Sequence, residues 1–538
     1  MGFRISEKSG ISFLYVQDTG FFMNMPAGDP KYTRNRVEWN QQEIPLMNNT
    51  KHMVAFDCGN SSCRVVLGTY DGNRISMEVI TQVPNEMMEI DGIFYWDFEA
   101  ICRNLKRGLG EAVRRTDHID SLGICTWGVD FGLFDKEGRM IGLPLSYRNT
   151  IGEKALSAFS AEEQEEMFME TGILCDKINS AWMLAGMKEV MPQRLREADK
   201  ILMVPDILNY MFTGRMLNEP SELSTTQFME ASTGKISSRM CRRLGIPESL
   251  FCETGIHGEI IGHLLPSIRE ELGIGYEIPV VCVPSHDTAA AVFAVPAAED
   301  SFLFVSSGTW SLIGTELDKP VITRNALAGK LTNETGAFGK ITLLRNNAGM
   351  FINQRLKPEY EAETGRKTGW TEFSELGLQH EGRVPVFDVN DVRFFNPVSM
   401  SGAIRSYLLE SGQTTSEADW PTIIRSYQVS LAASYAQVCS ALEQLSGKRF
   451  PVVYIAGGGS RNVLQNRTVA DVLGRPVMTG SEESTSFGCL AAQLPVHVPG
   501  IDVQGMRNIL RSSIEVREYL PQQDLTAYAE AYAARFGS

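Results

Sequence analysis

The stretch from Pro279 to Gly314 constrains the fold most, because it gathers strand, helix and hairpin signals around one carboxylate. The apolar run Pro279 to Val283 reads as a strand that delivers Asp287 to the start of a helix over Ala289 to Ala294. A second strand, Phe302 to Val305, ends on Ser306-Ser307-Gly308-Thr309 before the chain turns back. A carboxylate within reach of a hydroxyl, beside backbone N–H groups that hold phosphate oxygens, is what phosphoryl transfer to an alcohol requires. A buried strand, a capped helix and a plain hairpin would write the same letters, so the stretch needs partners elsewhere in the chain.

At 538 residues the chain exceeds one ordinary core and is expected to form two large domains. Its 65 acidic and 50 basic residues leave a formal net charge of -15. That charge opposes attraction to nucleic acid or to an anionic membrane face, so neither is expected as a partner and an anionic ligand must be held by local geometry. Ten cysteines occur without a C-x-x-C pair, which argues against a zinc ribbon or a thioredoxin-like motif and points to a reducing cytoplasm. No apolar run approaches the roughly 18 residues of a spanning helix. Ile11 to Val16 is too short for the apolar core of a signal peptide, so a cytoplasmic protein is expected. Residues 1–50 carry no sustained period and read as an extension or an over-called start, with internal methionines at Met47 and Met53.

Partners for the central stretch come on both sides of it. Met53 to Tyr70 reads as a hairpin, with Asp57 closing its first strand and the Gly59-Asn60-Ser61-Ser62 turn offering N–H groups to an anion. Ile119 to Thr126 is a strand that runs into Trp127-Gly128-Val129-Asp130. There a glycine admits close backbone approach and an indole offers an apolar wall, which suits a sugar and equally suits a packed Trp beside a tight bend. His286, one of seven histidines, adjoins Asp287 and is expected to donate a hydrogen bond to substrate.

After the central stretch, Ile341 to Arg345 is a strand leading through Asn346 and Asn347 into a helix that bears Gln354. Pro421 to Leu445 has the spacing of a long amphipathic helix, and the strand Pro451 to Ala456 ends on Gly457-Gly458-Gly459 ahead of a helix over Val463 to Leu473. Three glycines before a helix N-terminus admit a flat or anionic ligand. Glu483 to Gly488 opens a further helix of small residues, expected on the same side. Neither G-x-x-x-x-G-K-[ST] nor G-x-G-x-x-G occurs, and H-E-x-x-H and G-x-S-x-G are absent too. What remains is a hairpin near the start of each half, at Asp57 and at Ser307, and the late triple-glycine turn. This weak internal repeat is consistent with two related α/β domains closing on a cleft.

Five segments carry a resemblance when taken in order: Val54-Ala-Phe-Asp-Cys-Gly-Asn-Ser-Ser-Cys-Arg64, Thr126-Trp-Gly-Val-Asp-Phe131, Ser285-His-Asp-Thr288, Ser306-Ser-Gly-Thr-Trp-Ser311 and Gly457-Gly-Gly-Ser-Arg-Asn462. From about Met53 to Phe536 the chain resembles the FGGY family of carbohydrate kinases, within the superfamily shared with actin, the Hsp70 chaperones and acetate kinase. The resemblance implies an α/β fold of two actin-like, ribonuclease-H-like domains with a catalytic cleft between them. It assigns 51–297 to sugar and phosphate binding, and 298–538, with a C-terminal tail, to ATP binding. The activity implied is ATP-dependent phosphorylation of the C1 hydroxyl of a ketose, L-rhamnulose first, with L-fuculose or L-xylulose as alternatives and an actin-like or chaperone-like ATPase as a distant one.

The resemblance further implies ATP and Mg2+ as cofactors and no particular oligomeric state. Asn60, Ser61, Ser62, Cys63, Arg64, Thr309, Gln354 and Gly458 would then meet ATP. Gly128, His286, Asp287, Thr288 and Asn346 would meet the ketose, with Asp287 as proton acceptor and Asp57 near Mg2+. Cys63 stands where a glycine is expected and Asn60 where a small alanine-like residue is expected, so a looser or more oxidisable first turn is anticipated.

Overall fold

Apolar runs broken by Gly, Asn and Ser become hairpins, and two of these hairpins seed two separate sheets. The structure, a computed structural model, describes Phe13–Leu14, Phe22–Met23 and residues 50–537. Met1–Asn49 forms one unit, in which Phe13–Leu14 pairs antiparallel with Phe22–Met23. Apart from those four residues, the stretch read as an N-terminal extension lies outside the described residues. The second unit, Thr50–Ser538, carries both large sheets.

The first sheet has six strands in the order Ile260–His263, Pro279–Val281, Ser121–Thr126, Lys51–Cys58, Ser62–Tyr70, Ile75–Pro84. The second has seven, in the order Thr332–Thr335, Ile341–Ala348, Trp310–Leu317, Leu303–Ser307, Val453–Ala456, Val477–Thr479, Arg517–Tyr519. Both follow one plan. Three antiparallel strands are laid down first, interrupted in the second sheet by the edge strand Thr332–Thr335, and two later strands then add in parallel, one beside the first of the three and the next beside that one. The repeat hinted at by two hairpins is therefore a repeat of topology. Each hairpin turn and each following strand end occupies an equivalent place in its own sheet.

Burial explains the strand sequences. Met53–Cys58 and Ser121–Thr126 are buried along their whole length, as expected of central parallel strands covered by helices on both faces. On one face Val54 and Phe56 pack with Leu105 and Leu109 of the helix Phe98–Val113. On the other, Met53 and Ala55 pack with Ala290 of the helix Asp287–Phe293 and Leu490 of the helix Ser484–Ala491. Each fully buried side chain of this kind contributes about 1.5–3 kcal/mol. The helix Ser484–Ala491 and the helix Val503–Ser513 thus return late in the chain to cover the first sheet. Their small and aliphatic residues read equally well for either sheet, and only packing assigns them.

The second sheet leans on the 27-residue helix Trp420–Ser446, started by the Asp419 side chain, which accepts the Thr422 N–H, and stopped by Gly447 at φ 68. Val305, Ile313 and Leu343 pack there with Ala432 and Tyr435. The edge strand Thr332–Thr335 docks onto the first domain. Asn333 donates to the Gly172 carbonyl from its backbone N–H at 2.9 Å and from Nδ2 at 3.1 Å, and the Thr335 N–H donates to Ser224 Oγ at 3.0 Å. That docking fixes what Glu334, between them, can reach. Among the described residues no helix is long and apolar enough to cross a membrane.

Candidate active site

In open α/β sheets, ligands bind beyond the carboxyl ends of the parallel strands. Here three such ends are tied side by side. The Trp127 N–H donates to the Cys58 carbonyl at 3.1 Å, and the Thr126 N–H donates to the Ser285 carbonyl at 2.7 Å, next to a parallel bridge between Thr126 and His286. His286 caps the helix Asp287–Phe293, so Asp287 is the first helical residue and sits where the helix dipole favours negative charge.

The Asp287 side chain keeps 35% of its surface exposed and accepts a hydrogen bond from Thr288 Oγ1 at 3.2 Å. Burial pushes its carboxyl above the usual range. His286 pulls it down, and the nearby Asp57 carboxylate pushes it up again, for a net rise. A carboxylate with a raised pKa is a better proton acceptor near neutral pH.

His286 lies between two carboxylates. Its Nε2 is 3.5 Å from Asp287 Oδ1, and its Nδ1 is 3.4 Å from Glu334 Oε2, in an ion-pair contact that falls short of hydrogen-bond geometry. Burial by itself would favour the neutral ring. The carboxylates, with Glu334 the strongest, outweigh it and lift the imidazole to about 9. Glu334 is the functional candidate that sequence reasoning missed. Its strand, Thr-Asn-Glu-Thr, carries no local signal, and its contact with His286 exists only because the second sheet's edge docks on the first domain.

Gly128 is packed tightly against the side chains around it. A Cβ there would stand 3.1 Å from His286 Nε2 and 3.1 Å from Thr225 Cγ2. Val129 follows at φ 69, a left-handed conformation that costs a β-branched residue on the order of 1–3 kcal/mol and marks functional loops. Two hydroxyls hold it: Thr225 Oγ1 accepts the Val129 N–H at 3.0 Å, and Ser180 Oγ donates to the Val129 carbonyl at 2.5 Å. The Trp127 indole, read as an apolar wall for sugar, is instead buried. Its ring lies 4.4 Å from that of Trp96, and both indole N–H groups donate to Asp130 Oδ2, at 2.9 and 2.6 Å. Burial raises the Asp130 carboxyl to about 7, against the pull of the two indoles.

At the first hairpin, Asp57 Oδ2 accepts from Arg64 Nη2 at 3.0 Å and from Ser486 Oγ at 2.5 Å, leaving its second oxygen uncommitted. Arg64 also pairs with Glu483, at the N-terminus of the returning helix. The Gly59–Ser61 turn is braced: Asn85 donates to the Gly59 carbonyl at 2.6 Å and to the Ser61 carbonyl at 3.0 Å, and Asn60 Nδ2 donates to the Tyr147 hydroxyl at 2.5 Å. Cys63 is 3% exposed and sits directly across the ladder from Cys58, and burial pushes the Cys58 thiol well up.

The second hairpin meets the triple-glycine turn. Gly457, at φ 77, and Gly459 lie against Ser307, where added Cβ atoms would stand 2.9 Å from its carbonyl oxygen and 2.1 Å from its Oγ. Gly458 between them is exposed with open space before it. Gly308 and Thr309 accept the first N–H groups of the following helix segment, from Met350 at 2.9 Å and Phe351 at 3.2 Å, and Gln354 lies one turn on, exposed like Thr309. Asn346 is exposed, and its register puts it on the same sheet face as Glu334. Its neighbour Asn347 is buried and spent on Ser434 and Asn390. Asp57, Gly128, His286, Asp287 and Thr288 are thus gathered at the first sheet, and Thr309, Gln354 and Gly458 at the second. Among the described residues no group of three or more His, Cys, Asp or Glu could hold a metal ion.

Residues 52–294 match the N-terminal domain, and residues 303–494 the C-terminal domain, of the FGGY family of carbohydrate kinases. The chain belongs to this family. A rhamnulokinase of Bacteroides thetaiotaomicron is 37% identical over 487 residues, covering 90% of this chain and 98% of the relative. One from Oceanobacillus iheyensis is 33% identical over 469 residues, covering 87% and 97%. Among solved structures, a ligand-bound xylulose kinase from Lactobacillus acidophilus superposes with TM-score 0.74 at 13% identity, covering 90% of this chain and 97% of that one. Plasmodium falciparum glycerol kinase with ADP gives 0.73 at 14% identity, covering 90% and 96%. The FGGY fold is thereby that of two actin-like α/β domains, and membership sets aside a chaperone-like ATPase.

Proposed function

We propose that this FGGY kinase transfers the γ-phosphoryl group of ATP to the C1 hydroxyl of a ketose, with L-rhamnulose as the preferred substrate. The observation that carries the reading is Asp287, a carboxylate of raised pKa at the carboxyl edge of the first sheet and the start of a helix, with His286 and Gly128 beside it. The names of the relatives at 33–37% identity favour L-rhamnulose over L-fuculose and L-xylulose.

In this reading 51–297 binds sugar and phosphate and 298–538 binds ATP, with the helix Ser484–Ala491 reaching across. Gly128, His286, Thr288 and Asn346 orient the ketose so that its C1 oxygen faces the γ-phosphorus, and Asp287 accepts the C1 proton as that oxygen attacks. His286, cationic below about pH 9, donates to a sugar oxygen. Asn60 to Arg64, Thr309, Gln354 and the exposed Gly458 line the nucleotide's path, where glycine lets the backbone approach phosphate. The donor set suits Mg2+, which is usually held by one or two carboxylates with waters and substrate phosphates; Asp57 has an uncommitted oxygen to offer. When bound, the ion neutralises charge on the phosphates.

A coupled ATP-consumption assay across a ketose panel tests the substrate. L-rhamnulose is expected to give the highest kcat/KM, and a higher value for L-fuculose or L-xylulose would replace it. The His286–Glu334 pair sets a second expectation. His286 gains its proton affinity mainly from Glu334, so the ring stays cationic through neutral pH and loses its charge as pH rises through about 9. Activity should fall along that alkaline limb, and Glu334→Gln should move the limb to lower pH. A profile that Glu334→Gln leaves in place would remove the pair from the mechanism.

A further inference from the structure

Beneath the base-bearing loop runs a buried chain of hydrogen bonds through Glu219, Ser221 and His257. Glu219 is 0% exposed, and its carboxylate is fully satisfied. Oε1 accepts the Ser221 N–H at 2.9 Å and a hydrogen bond from His257 Nε2. Oε2 accepts the Glu222 N–H at 2.9 Å and the Ser221 hydroxyl at 2.6 Å. With its proton committed to Glu219, Ser221 Oγ offers a lone pair, and the His286 N–H donates to it at 3.0 Å. One end of the chain is therefore the N–H of His286, the residue immediately before Asp287.

The other end lies in the second domain. His257 Nδ1 accepts the Phe338 N–H at 2.8 Å, and because a peptide N–H can only donate, the ring proton must sit on Nε2 and point at Glu219. Phe338 is held at φ 51, outside the range a phenylalanine prefers. Its ring stands edge-on to His257 at 5.6 Å and packs on Phe293 at 5.3 Å, the last residue of the helix that Asp287 begins. Burial would drive the Glu219 carboxyl up, but His257 and the Ser221 and Glu222 donors overcome it and hold it below its usual range. The chain thus grips the base-bearing segment at both ends and roots it in a strained residue of the opposite domain.

We propose that Glu219, His257 and Ser221 are positioning residues that set the place of Asp287 according to where the second domain sits. The inference rests on Asp287 as the proton acceptor. None of the three touches substrate; each acts through the His286 peptide. A shift of Phe338 relative to the first domain moves His257, Glu219 and Ser221 as one unit and carries His286 and Asp287 with them.

Two substitutions cut the chain at opposite ends. His257→Gln keeps a donor toward Glu219 and loses the acceptor for Phe338, while Ser221→Ala removes the acceptor for His286. Each is expected to lower kcat about 10- to 100-fold, the scale of a roughly 1 Å misplacement, with KM for ATP within about twofold of the parent. The double variant is expected to be no slower than the slower single, because one broken link already uncouples the unit. A kcat within about twofold of the parent per folded molecule, with only a lower Tm, would overturn the inference, and so would simple multiplication of the two losses. Should His257→Gln fail to fold, Ser221→Ala, which deletes one hydroxyl, carries the kcat and KM test alone. Asp287→Asn run in parallel separates the two readings. If it keeps its turnover, the base assignment fails. If it is inactive while the relay variants are normal, only the relay fails.

Discussion

Asp287→Asn should lower kcat by roughly 10²- to 10⁴-fold, the contribution of a positioned general base, while the Kd for ATP stays close to that of the parent. Asparagine keeps the size and the Thr288 contact of the side chain but cannot take a proton at neutral pH. The same substitution removes the electrostatic conflict between Asp287 and Asp57, so nucleotide binding has no reason to weaken. Steady-state kinetics with saturating ketose, together with a nucleotide titration, separate these effects. A variant with near-parental kcat would eliminate Asp287 as the base, and one that lost ATP binding in proportion to kcat would make it a nucleotide ligand instead.

The second large effect is expected far from the reacting atoms in sequence, at Gly488. The helix Ser484–Ala491 crosses the helix Asp287–Phe293 so closely that a Cβ on Gly488 would stand 2.0 Å from the Ala290 carbonyl oxygen. Backbone cannot rotate out of the way, so Gly488→Ala must push the two helices apart. Overpacking of this kind costs about 1–3 kcal/mol. The catalytic cost is larger, because the displaced helix holds both acids: Ser486 Oγ donates to Asp57 Oδ2 at 2.5 Å, and Thr485 Oγ1 donates to the Asp287 carbonyl at 3.3 Å. A drop in kcat on the order of 100-fold is expected alongside a modestly lower Tm. Parental turnover in a folded Gly488→Ala protein would show that the crossing does not position the acids.

These two positions differ in how far the sequence exposes them. Asp287 follows an apolar strand and precedes an alanine-rich helix, a pattern readable within a dozen letters. Gly488 reads only as one small residue in a helix of small residues. Its necessity comes from a partner helix nearly two hundred positions earlier, as the 198-residue separation of the Thr485–Asp287 hydrogen bond illustrates. Trp127 makes the same point in reverse. Its local setting suggested a wall for sugar, yet Trp96 and Asp130 claim both its face and its N–H, and no spacing rule announces that claim.

The sequence by itself determined the two hairpins, the acid at a strand-to-helix junction, the triple-glycine turn and the α/β class. Each is written in short-range periodicity and in residues whose backbone preferences are local. Only the tertiary structure decided which charges face one another. It set Glu334 beside His286, Ser486 and Glu483 on the Asp57–Arg64 pair, and Glu219 with His257 under the base-bearing loop. The physical reason is that strand and helix signals fix a residue's face but not its opposite number. Which carboxylate raises the His286 pKa depends on the docking of the Thr332–Thr335 edge, and that docking is a property of two packed domains, not of any segment within them.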